Sequence, residues 1–414
     1  MSSDIRPFTI SVPDSEIAKL KDKLALARFA DPVDFSDDWN YGVPRSDMQR
    51  LAKYWHQGFN WRKAEAKLNE TPQFTTDIAV DGFGTLDLHF VHQKSSKADN
   101  SIPLLFCHGW PGSFIEVFKM LPLLTEPSAP GQPSFHLVAP SLPNFGFSQG
   151  PSQPGFGLPQ YAEVCHKLML KLGYDTYVTQ GGDWGFFITR LMGSQYPAHC
   201  LATHVNMVAA RPPSLLRSPL LFLRHLLTPY SAFEVRGLQR SRWFDTEGRG
   251  YYDVQSTRPA TLGFALADSP VALLAWIYEK LHDWTDSYPF TDDEVLTWIA
   301  IYQFSRAGPA ASVRIYYEAL RGQREPTTGA KTSSAYHDYN GAVKFGASLF
   351  PADLILPPTS YIRTLGPLGF YRAHDRGGHF AAYEVPELLV DDLRSWFGKG
   401  GDAESIARTL GLKL

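Results

Sequence analysis

Cysteines are scarce in this sequence, and none of them is paired in a motif. The 414 residues include only Cys107, Cys165 and Cys200, with no C-x-x-C spacing. An odd and scattered set argues against a disulfide framework and for a reducing compartment, so we interpret all three as packing residues and expect a cytoplasmic protein. The C-terminal residues Leu412 to Leu414 match the S-K-L peroxisomal address only in their last two positions, which leaves a peroxisomal location as the alternative.

Long apolar runs and an excess of one charge are also missing. The most apolar stretch, residues 215–227, is interrupted by Arg217, Pro219, Arg224 and His225, and residues 1–21 contain no apolar core, so we expect no membrane anchor. Lysine and arginine number 39 against 42 aspartates and glutamates, and they form no basic stripe. Nucleic acid is therefore not an expected partner, and a small neutral ligand fits this balance.

Short apolar runs alternate with segments of helical spacing along the chain. This alternation predicts an α/β protein with a mostly parallel central sheet and helices on both faces. Strands are predicted at Leu104–Cys107, Leu137–Ala139, Tyr177–Gln180 and Gly369–His374, and a closing helix at Pro386–Phe397.

Four regions follow from this pattern. Residues 1–95 precede the first predicted core strand and form an N-terminal extension, and residues 96–211 form the first part of the core. Residues 212–328 are rich in Trp and Tyr, have helical spacing and no strand-like run, and are interpreted as an inserted lid. Residues 329–414 form the second part of the core.

The segment Gly181-x-Asp183-x-Gly185 has the spacing of the G-x-S-x-G nucleophile elbow, with Asp183 in the serine position. It lies between a predicted strand and a predicted helix, which is the context that the elbow of the α/β-hydrolase fold requires. A glycine-rich turn around an aspartate is also common for structural reasons alone. Asp353 and His379 follow in the chain order of that fold, however, and this order favours Asp183 as the nucleophile.

His379 is one of 13 histidines, so its residue type alone predicts little. It follows Gly377-Gly378 in a predicted loop after a late strand, where a flexible backbone can direct an imidazole toward the elbow. Asp353 is the expected acid partner of this histidine, with Asp338 and Asp375 as rivals.

The segment His108-Gly109-Trp110-Pro111-Gly112 follows an early strand. In this fold one backbone N–H of the oxyanion hole comes from that position, and the other comes from the residue after the nucleophile. We therefore predict that Trp110 and Trp184 act through their backbone N–H groups, although His-Gly-Trp-Pro is also compatible with an ordinary turn.

Metals and cofactors are not expected. His199, Cys200 and His204 cluster in sequence, but no fourth ligand stands at a metal-like spacing. Neither a G-x-G-x-x-G opening a helix nor a Walker A sequence is present, so no nucleotide cofactor is predicted.

The motifs HGWPGS (108–113), GGDWG (181–185), FPAD (350–353) and GGHFAA (377–382) together resemble the microsomal-type epoxide hydrolases, especially their soluble fungal members. The resemblance covers nearly the whole chain, and it implies hydrolysis of epoxides to vicinal diols without a cofactor. It also implies that two lid tyrosines, Tyr251 and Tyr316, protonate the epoxide oxygen. Tyr317, the next residue, is the alternative to Tyr316. Related enzymes are often homodimers.

An aspartate at the elbow suits this reaction. Attack on an epoxide by serine would leave an ether that an oxyanion hole cannot help to hydrolyse, whereas attack by a carboxylate leaves a hydrolysable ester. His379, oriented by Asp353, would then activate water. Phe145 and Phe147 are candidates for the lining of an aromatic substrate pocket.

Two other functions remain open at this point. A haloalkane dehalogenase shares the aspartate nucleophile and the ester. Its halide leaving group needs no proton donor, however, so the two lid tyrosines disfavour this function. A hydrolase-fold binding protein with an inactive site is the second alternative, because a fold alone does not establish activity.

Overall fold

The computed structural model describes residues 4–97, 101–127, 129, 131–324, 335–410 and 412. Two expectations lie outside these residues: the Lys413 and Leu414 positions of the peroxisomal address, and the boundary between lid and core at Thr328.

In the described part of the chain, nine strands form one sheet in the order β1-β2-β3-β5-β4-β6-β7-β8-β9. The strands are β1 Arg6–Phe8, β2 Gln73–Val80, β3 Gly84–Gln93, β4 Ser101–Cys107, β5 Ser134–Pro140, β6 Tyr177–Gly181, β7 Cys200–Val205, β8 Lys344–Leu349 and β9 Leu368–Ala373.

The six strands from β4 to β9 pair in parallel, while β1, β2 and β3 add an antiparallel edge. The predicted mostly parallel sheet is confirmed. Cys107 pairs with Gly181, Gly181 with Val205 and Val205 with Ala347, so four neighbouring strands end at the same level. The loops that follow them meet at this carboxyl edge, where α/β sheets bind their ligands.

The N-terminal extension contributes to the same sheet, which the sequence analysis did not anticipate. β2 and β3 form a hairpin across Asp81-Gly82-Phe83, and β3 pairs with β5. Gly82 has φ +79°, a conformation that glycine adopts without strain. The Asp-Gly dipeptide between alternating residues was the signal for this hairpin.

Helices in the described residues fall into four groups along the chain. The N-terminal helices are α1 Asp14–Ala25, α2 Arg45–Gln57 and α3 Trp61–Leu68; the first core helices are α4 Leu121–Thr125, α5 Leu158–Lys171 and α6 Trp184–Gln195. The lid helices are α7 Pro219–Leu227, α8 Ala232–Trp243, α9 Gly250–Thr257, α10 Pro259–Asp268, α11 Pro270–Asp283, α12 Asp292–Gln303 and α13 Arg314–Arg324. The last group is α14 Thr359–Ile362, α15 Ala381–Glu384, α16 Pro386–Phe397 and α17 Glu404–Thr409. Short 3₁₀ turns occur at Phe114–Val117, Ala311–Val313 and Ala335–His337, and a π-helical turn occurs at Phe244–Gly248.

Two groups of helices cover the sheet. α5 and α6 pack together against β2, β4 and β6, while α4 and α16 pack together against β5 and β8. Between β7 and β8 the described residues form helices and loops without a strand. The three cysteines are buried and unpaired, as expected of packing residues.

Among the described residues, no helix by itself combines the length and the apolar character needed to cross a bilayer. One pair, α10 and α11, reaches both only when taken together, and its two members meet at an angle of 114°.

Candidate active site

Asp183 lies on the sharp turn between β6 and α6. Its backbone has φ +51° and ψ −125°, a region that non-glycine residues rarely adopt, and the turn holds its carboxylate above the end of the sheet. Gly185 makes this turn feasible, because a Cβ there would lie 1.9 Å from the carbonyl oxygen of Cys107. The elbow that the sequence predicts therefore has the expected backbone geometry.

The loop after β4 reaches over the same carboxylate. The backbone N–H of Trp110 donates a hydrogen bond of 2.8 Å to Oδ1 of Asp183. Gly109 permits this contact, since a Cβ at that position would lie 2.1 Å from the same oxygen. Trp184, the second predicted donor, is the first residue of α6 and so follows the nucleophile directly. The Trp110–Pro111 peptide bond is cis.

Lid helix α12 holds this loop in place. The indole N–H of Trp298 donates to the carbonyl oxygen of Pro111 at 2.5 Å, and the hydroxyl of Tyr302 donates to the carbonyl oxygen of Gly112 at 2.5 Å. Both side chains are buried. Two hydrogen bonds from the lid therefore fix the loop that carries Trp110.

His379 lies between two carboxylates. Its Nδ1 is 2.6 Å from Oδ1 of Asp353, and its Nε2 is 3.5 Å from Oδ2 of Asp183. Asp353 is fully buried, whereas its rival Asp375 is exposed, and the carbonyl oxygen of Asp338 binds the Arg190 guanidinium. The structure thus brings Asp183, His379 and Asp353 together in the arrangement expected from the sequence.

These two carboxylates determine the protonation of the imidazole. Burial lowers the pKa of His379, but the charge of Asp353 and the hydrogen bond and charge of Asp183 raise it further, so that the pKa is about 10. The imidazole is therefore protonated at neutral pH while Asp183 carries its charge. Loss of the Asp183 charge would remove one of the two groups that favour this proton.

Tyr251 and Tyr316 reach the same place from two lid helices, α9 and α13. The Tyr251 ring stacks on Trp110 with 5.2 Å between centroids, and the Tyr316 ring meets Trp184 edge to face at 4.8 Å. The two phenol rings are 5.9 Å apart, both are buried, and the Tyr316 hydroxyl has no hydrogen-bond partner. Such a buried hydroxyl, on a ring that packs against Trp184 next to Asp183 in sequence, is free to donate to a ligand.

The pKa values of both phenols are raised well above their ordinary value. Burial is the main cause in both cases, and the charge of Asp183 adds to it, together with mutual repulsion between the two phenols at Tyr316. Both groups are therefore protonated, which suits proton donors. Tyr317 differs from its neighbour, because it is half-buried and its hydroxyl accepts a hydrogen bond from Arg321 at 2.7 Å.

Sequence reasoning missed Glu116, which lies close to the catalytic group. Its carboxyl accepts a hydrogen bond from the Ser113 N–H at 3.1 Å in a capping box, and burial raises its pKa to about 8. A cavity of about 10 Å³ is lined by Glu116, Asp183 and His379 among others. This is close to the smallest volume that holds one water molecule. The S-x-x-E spacing of residues 113–116 was the available sequence signal.

The two phenylalanines predicted for the pocket lie in different surroundings. Phe145 contacts the His108 ring at 5.1 Å, next to the loop over Asp183. Phe147 packs against Phe8 and His89 at 5.5 Å and lines a separate cavity beside the N-terminal extension. The structure therefore does not bring Phe147 to the catalytic group, although the sequence grouped the two residues.

The sequence cluster His199, Cys200 and His204 does not converge. His199 hydrogen-bonds to the carbonyl oxygen of Asp175 at 2.6 Å, whereas His204 contacts the Ser348 hydroxyl at 3.0 Å. Among the described residues, no group of three or more His, Cys, Asp or Glu side chains could hold a metal ion.

Comparisons with known proteins show which proteins this chain is similar to. The family model described as "Epoxide hydrolase N terminus" matches residues 5–117, and the model described as "alpha/beta hydrolase fold" matches residues 102–228. The chain is 39% identical to a "Putative epoxide hydrolase" of Stigmatella aurantiaca (strain DW4/3-1) over 95% of its own length and 84% of that protein. It is 34% identical to "Epoxide hydrolase 1" of Sus scrofa, over 95% of this chain and 88% of that protein. The solved structure of Aspergillus niger epoxide hydrolase matches with a TM-score of 0.81 at 38% identity, and 95% of each chain is covered.

Proposed function

This chain belongs to the epoxide hydrolase family of the α/β-hydrolase fold and is an epoxide hydrolase, and from that premise we propose that it works through a covalent ester on Asp183. Epoxide and water are its substrates, and a vicinal diol is its product. The observation that carries the proposal is the group of contacts around one carboxylate: His379 on one oxygen, the Trp110 N–H on the other, and two buried phenols beside it.

The first step is ring opening. An Asp183 oxygen attacks an epoxide carbon, the bond from that carbon to the epoxide oxygen breaks, and the oxygen takes a proton from a phenol. Tyr251 and Tyr316 are the two donors, because their raised pKa values keep them protonated and their rings lie against Trp110 and Trp184. A general acid of this kind contributes roughly 10²–10⁴-fold to a rate.

The second step is hydrolysis of the ester. Once esterified, Asp183 carries no charge, so the pKa of His379 falls. The imidazolium then gives its proton to restore the phenol used in ring opening, and the neutral imidazole can accept a proton from water. Asp353 keeps the imidazole oriented through the 2.6 Å contact. Water attacks the ester carbonyl, and the N–H groups of Trp110 and Trp184 stabilise the tetrahedral oxyanion. Its collapse breaks the bond from the carbonyl carbon to the diol oxygen, which takes the proton from the His379 imidazolium, and Asp183 is restored as a carboxylate. The cavity beside Glu116 has about the volume that this water needs.

A single-turnover reaction in H₂¹⁸O tests the ester. Excess enzyme reacts with styrene oxide as a probe, and mass spectrometry follows both the diol and the peptide that contains Asp183. The proposal requires unlabelled diol in the first turnover and label in the peptide, because water attacks the ester carbonyl. Labelled diol with an unlabelled peptide would mean direct attack of water on the epoxide.

Two other assays, of halide release and of ligand binding, separate the remaining alternatives. Halide release from bromoalkanes would favour a dehalogenase, and ligand binding without turnover would favour a binding role. The buried hydroxyl of Tyr316, without a partner beside the nucleophile, argues against a dehalogenase, since a halide leaving group needs no proton.

A homodimer is also part of the proposal. On α7 the side chains of Leu220, Leu223 and Leu227 are exposed at helical spacing, and this apolar stripe faces solvent in the single chain. A two-fold contact between copies would cover it. Size-exclusion chromatography with light scattering should give the mass of two chains, and a Leu223→Glu variant should give the mass of one. A single-chain mass for the unchanged protein would exclude the dimer.

The proposed location is the cytoplasm, and it is supported by three buried, unpaired cysteines. Fractionation of the source cells with an antibody against the chain tests this proposal. Recovery of the protein in the peroxisomal fraction would favour the alternative instead.

A further inference from the structure

A buried ammonium group lies against the face of the Tyr251 ring. Lys280 on α11 is only 2% exposed, and its Nζ is 4.8 Å from the centroid of that ring. The indoles of Trp276 and Trp284 are also near, at 5.6 Å and 6.0 Å. Three aromatic rings thus surround the cation, and the carboxylate of Glu279 pairs with it.

Burial of a lysine at this position carries a free-energy cost of desolvation. Burial lowers its pKa, while Glu279 and Asp283 favour its charged form. An apolar side chain of similar length would fill the same space without the cost of desolvating a charge. The position of the cation, one ring away from the reacting atoms, suggests that its charge has a use in the reaction.

We propose that Lys280 makes Tyr251 a stronger proton donor for ring opening. As the O–H bond of Tyr251 breaks and the proton moves to the epoxide oxygen, negative charge develops on the phenol. A cation over the ring face attracts this developing phenolate more strongly than the neutral phenol. Its stabilisation is therefore larger in the transition state than in the ground state, which is the condition for a faster step. The inference rests on the proposed role of Tyr251.

The effect is directed at one of the two phenols. The ammonium contacts the Tyr251 ring, whereas the Tyr316 ring lies among Trp184, Trp110 and Tyr252. The ring and ion-pair contacts of Lys280 do not include Asp183, so Lys280 is a positioning residue that acts through Tyr251.

The test separates ring opening from ester hydrolysis. Stopped-flow tryptophan fluorescence with excess styrene oxide resolves formation and decay of the ester. Lys280→Met should slow ester formation by about tenfold, the size expected for a desolvated cation over an aromatic ring, and leave ester hydrolysis unchanged. Lys280→Arg keeps the charge and should restore most of the rate. Lys280→Gln serves as a second neutral variant if the methionine variant does not fold.

A matched control is available in the same protein. Lys119 also lies over aromatic rings, with its Nζ 4.6 Å from the Tyr288 centroid and 3.7 Å from the Tyr383 centroid, and neither of these rings is a proposed donor phenol. Lys119→Met should therefore leave the rate of ester formation unchanged. Equal slowing by Lys119→Met and Lys280→Met would overturn the inference.

A double-mutant cycle decides whether Lys280 acts through the phenol. In a Tyr251→Phe background, Lys280→Met should cause no further loss, because the group on which it acts is gone. Losses that multiply in the double variant, or an unchanged rate in Lys280→Met alone, would overturn the inference. An unchanged rate in Tyr251→Phe alone would instead overturn the proposed donor role, so the two failures are distinguishable.

Discussion

The charge of Asp183 raises the pKa of His379, and the Asp183→Asn variant should show the size of this effect. The two side chains approach to 3.5 Å, between Nε2 of His379 and Oδ2 of Asp183. At that separation an effective dielectric constant of about 20 gives an attraction of roughly 5 kcal/mol. Because one pKa unit corresponds to about 1.4 kcal/mol, the pKa of His379 should fall by about 3.5. Its value would then move from about 10 toward neutrality.

This shift is measurable in solution. Long-range ¹H–¹⁵N NMR on protein labelled at histidine follows the imidazole nitrogens with pH, and a His379→Gln variant assigns the signal among the 13 histidines. Asp375→Asn removes an exposed carboxylate near the same loop and should leave the titration unchanged. Mass spectrometry confirms that the amide introduced at position 183 stays intact. Titration of His379 at the same pH in the unchanged protein and in Asp183→Asn would refute the argument that ester formation frees the base.

Three further predictions concern the same group. His379→Gln should form the ester and fail to hydrolyse it, so intact-protein mass spectrometry should detect the adduct on Asp183, and normal turnover would contradict the assignment. Gly109→Ala places a methyl group against Oδ1 of Asp183, so kcat should fall by about 10²-fold or more in a diol-formation assay. Tyr302→Phe leaves the carbonyl oxygen of Gly112 without its donor, so the free energy of unfolding in urea should fall by about 1–3 kcal/mol. An unchanged unfolding midpoint would show that this hydrogen bond does not stabilise the loop.

Short apolar runs in the core could be predicted as strands, but β8 could not. The expected strand at Tyr177–Gln180 is observed as β6, and the closing helix at Pro386–Phe397 is observed as α16 with the same bounds. β8 was missed, because Gly346, Ala347 and Ser348 have small side chains and low strand propensity. Its parallel neighbours on both sides, rather than its own residues, stabilise it as a strand.

Some residues of the candidate site could be predicted from the sequence, and others could not. Asp183, Asp353 and His379 lie in motifs with fixed spacing and chain order, so the sequence could predict that they meet. Lys280 has no such motif, since its neighbour Tyr251 is 29 positions away on another helix and only packing of the lid joins them. Phe145 and Phe147 show that closeness in sequence does not predict a shared site. They are two positions apart in a loop, yet their rings have different surroundings.

The hydrogen bonds from α12 to the loop over Asp183 bear on the engineering of this enzyme. A lid that is inserted between β7 and β8 invites exchange as a module, to give a chimaera with a new substrate range. Trp298 and Tyr302 belong to that module in sequence, but each donates a hydrogen bond to a carbonyl oxygen of the loop over Asp183, at Pro111 or Gly112. Exchange that keeps Tyr251, Lys280 and the residues from Asp292 onward should therefore preserve turnover, whereas exchange of the whole insert should reduce it.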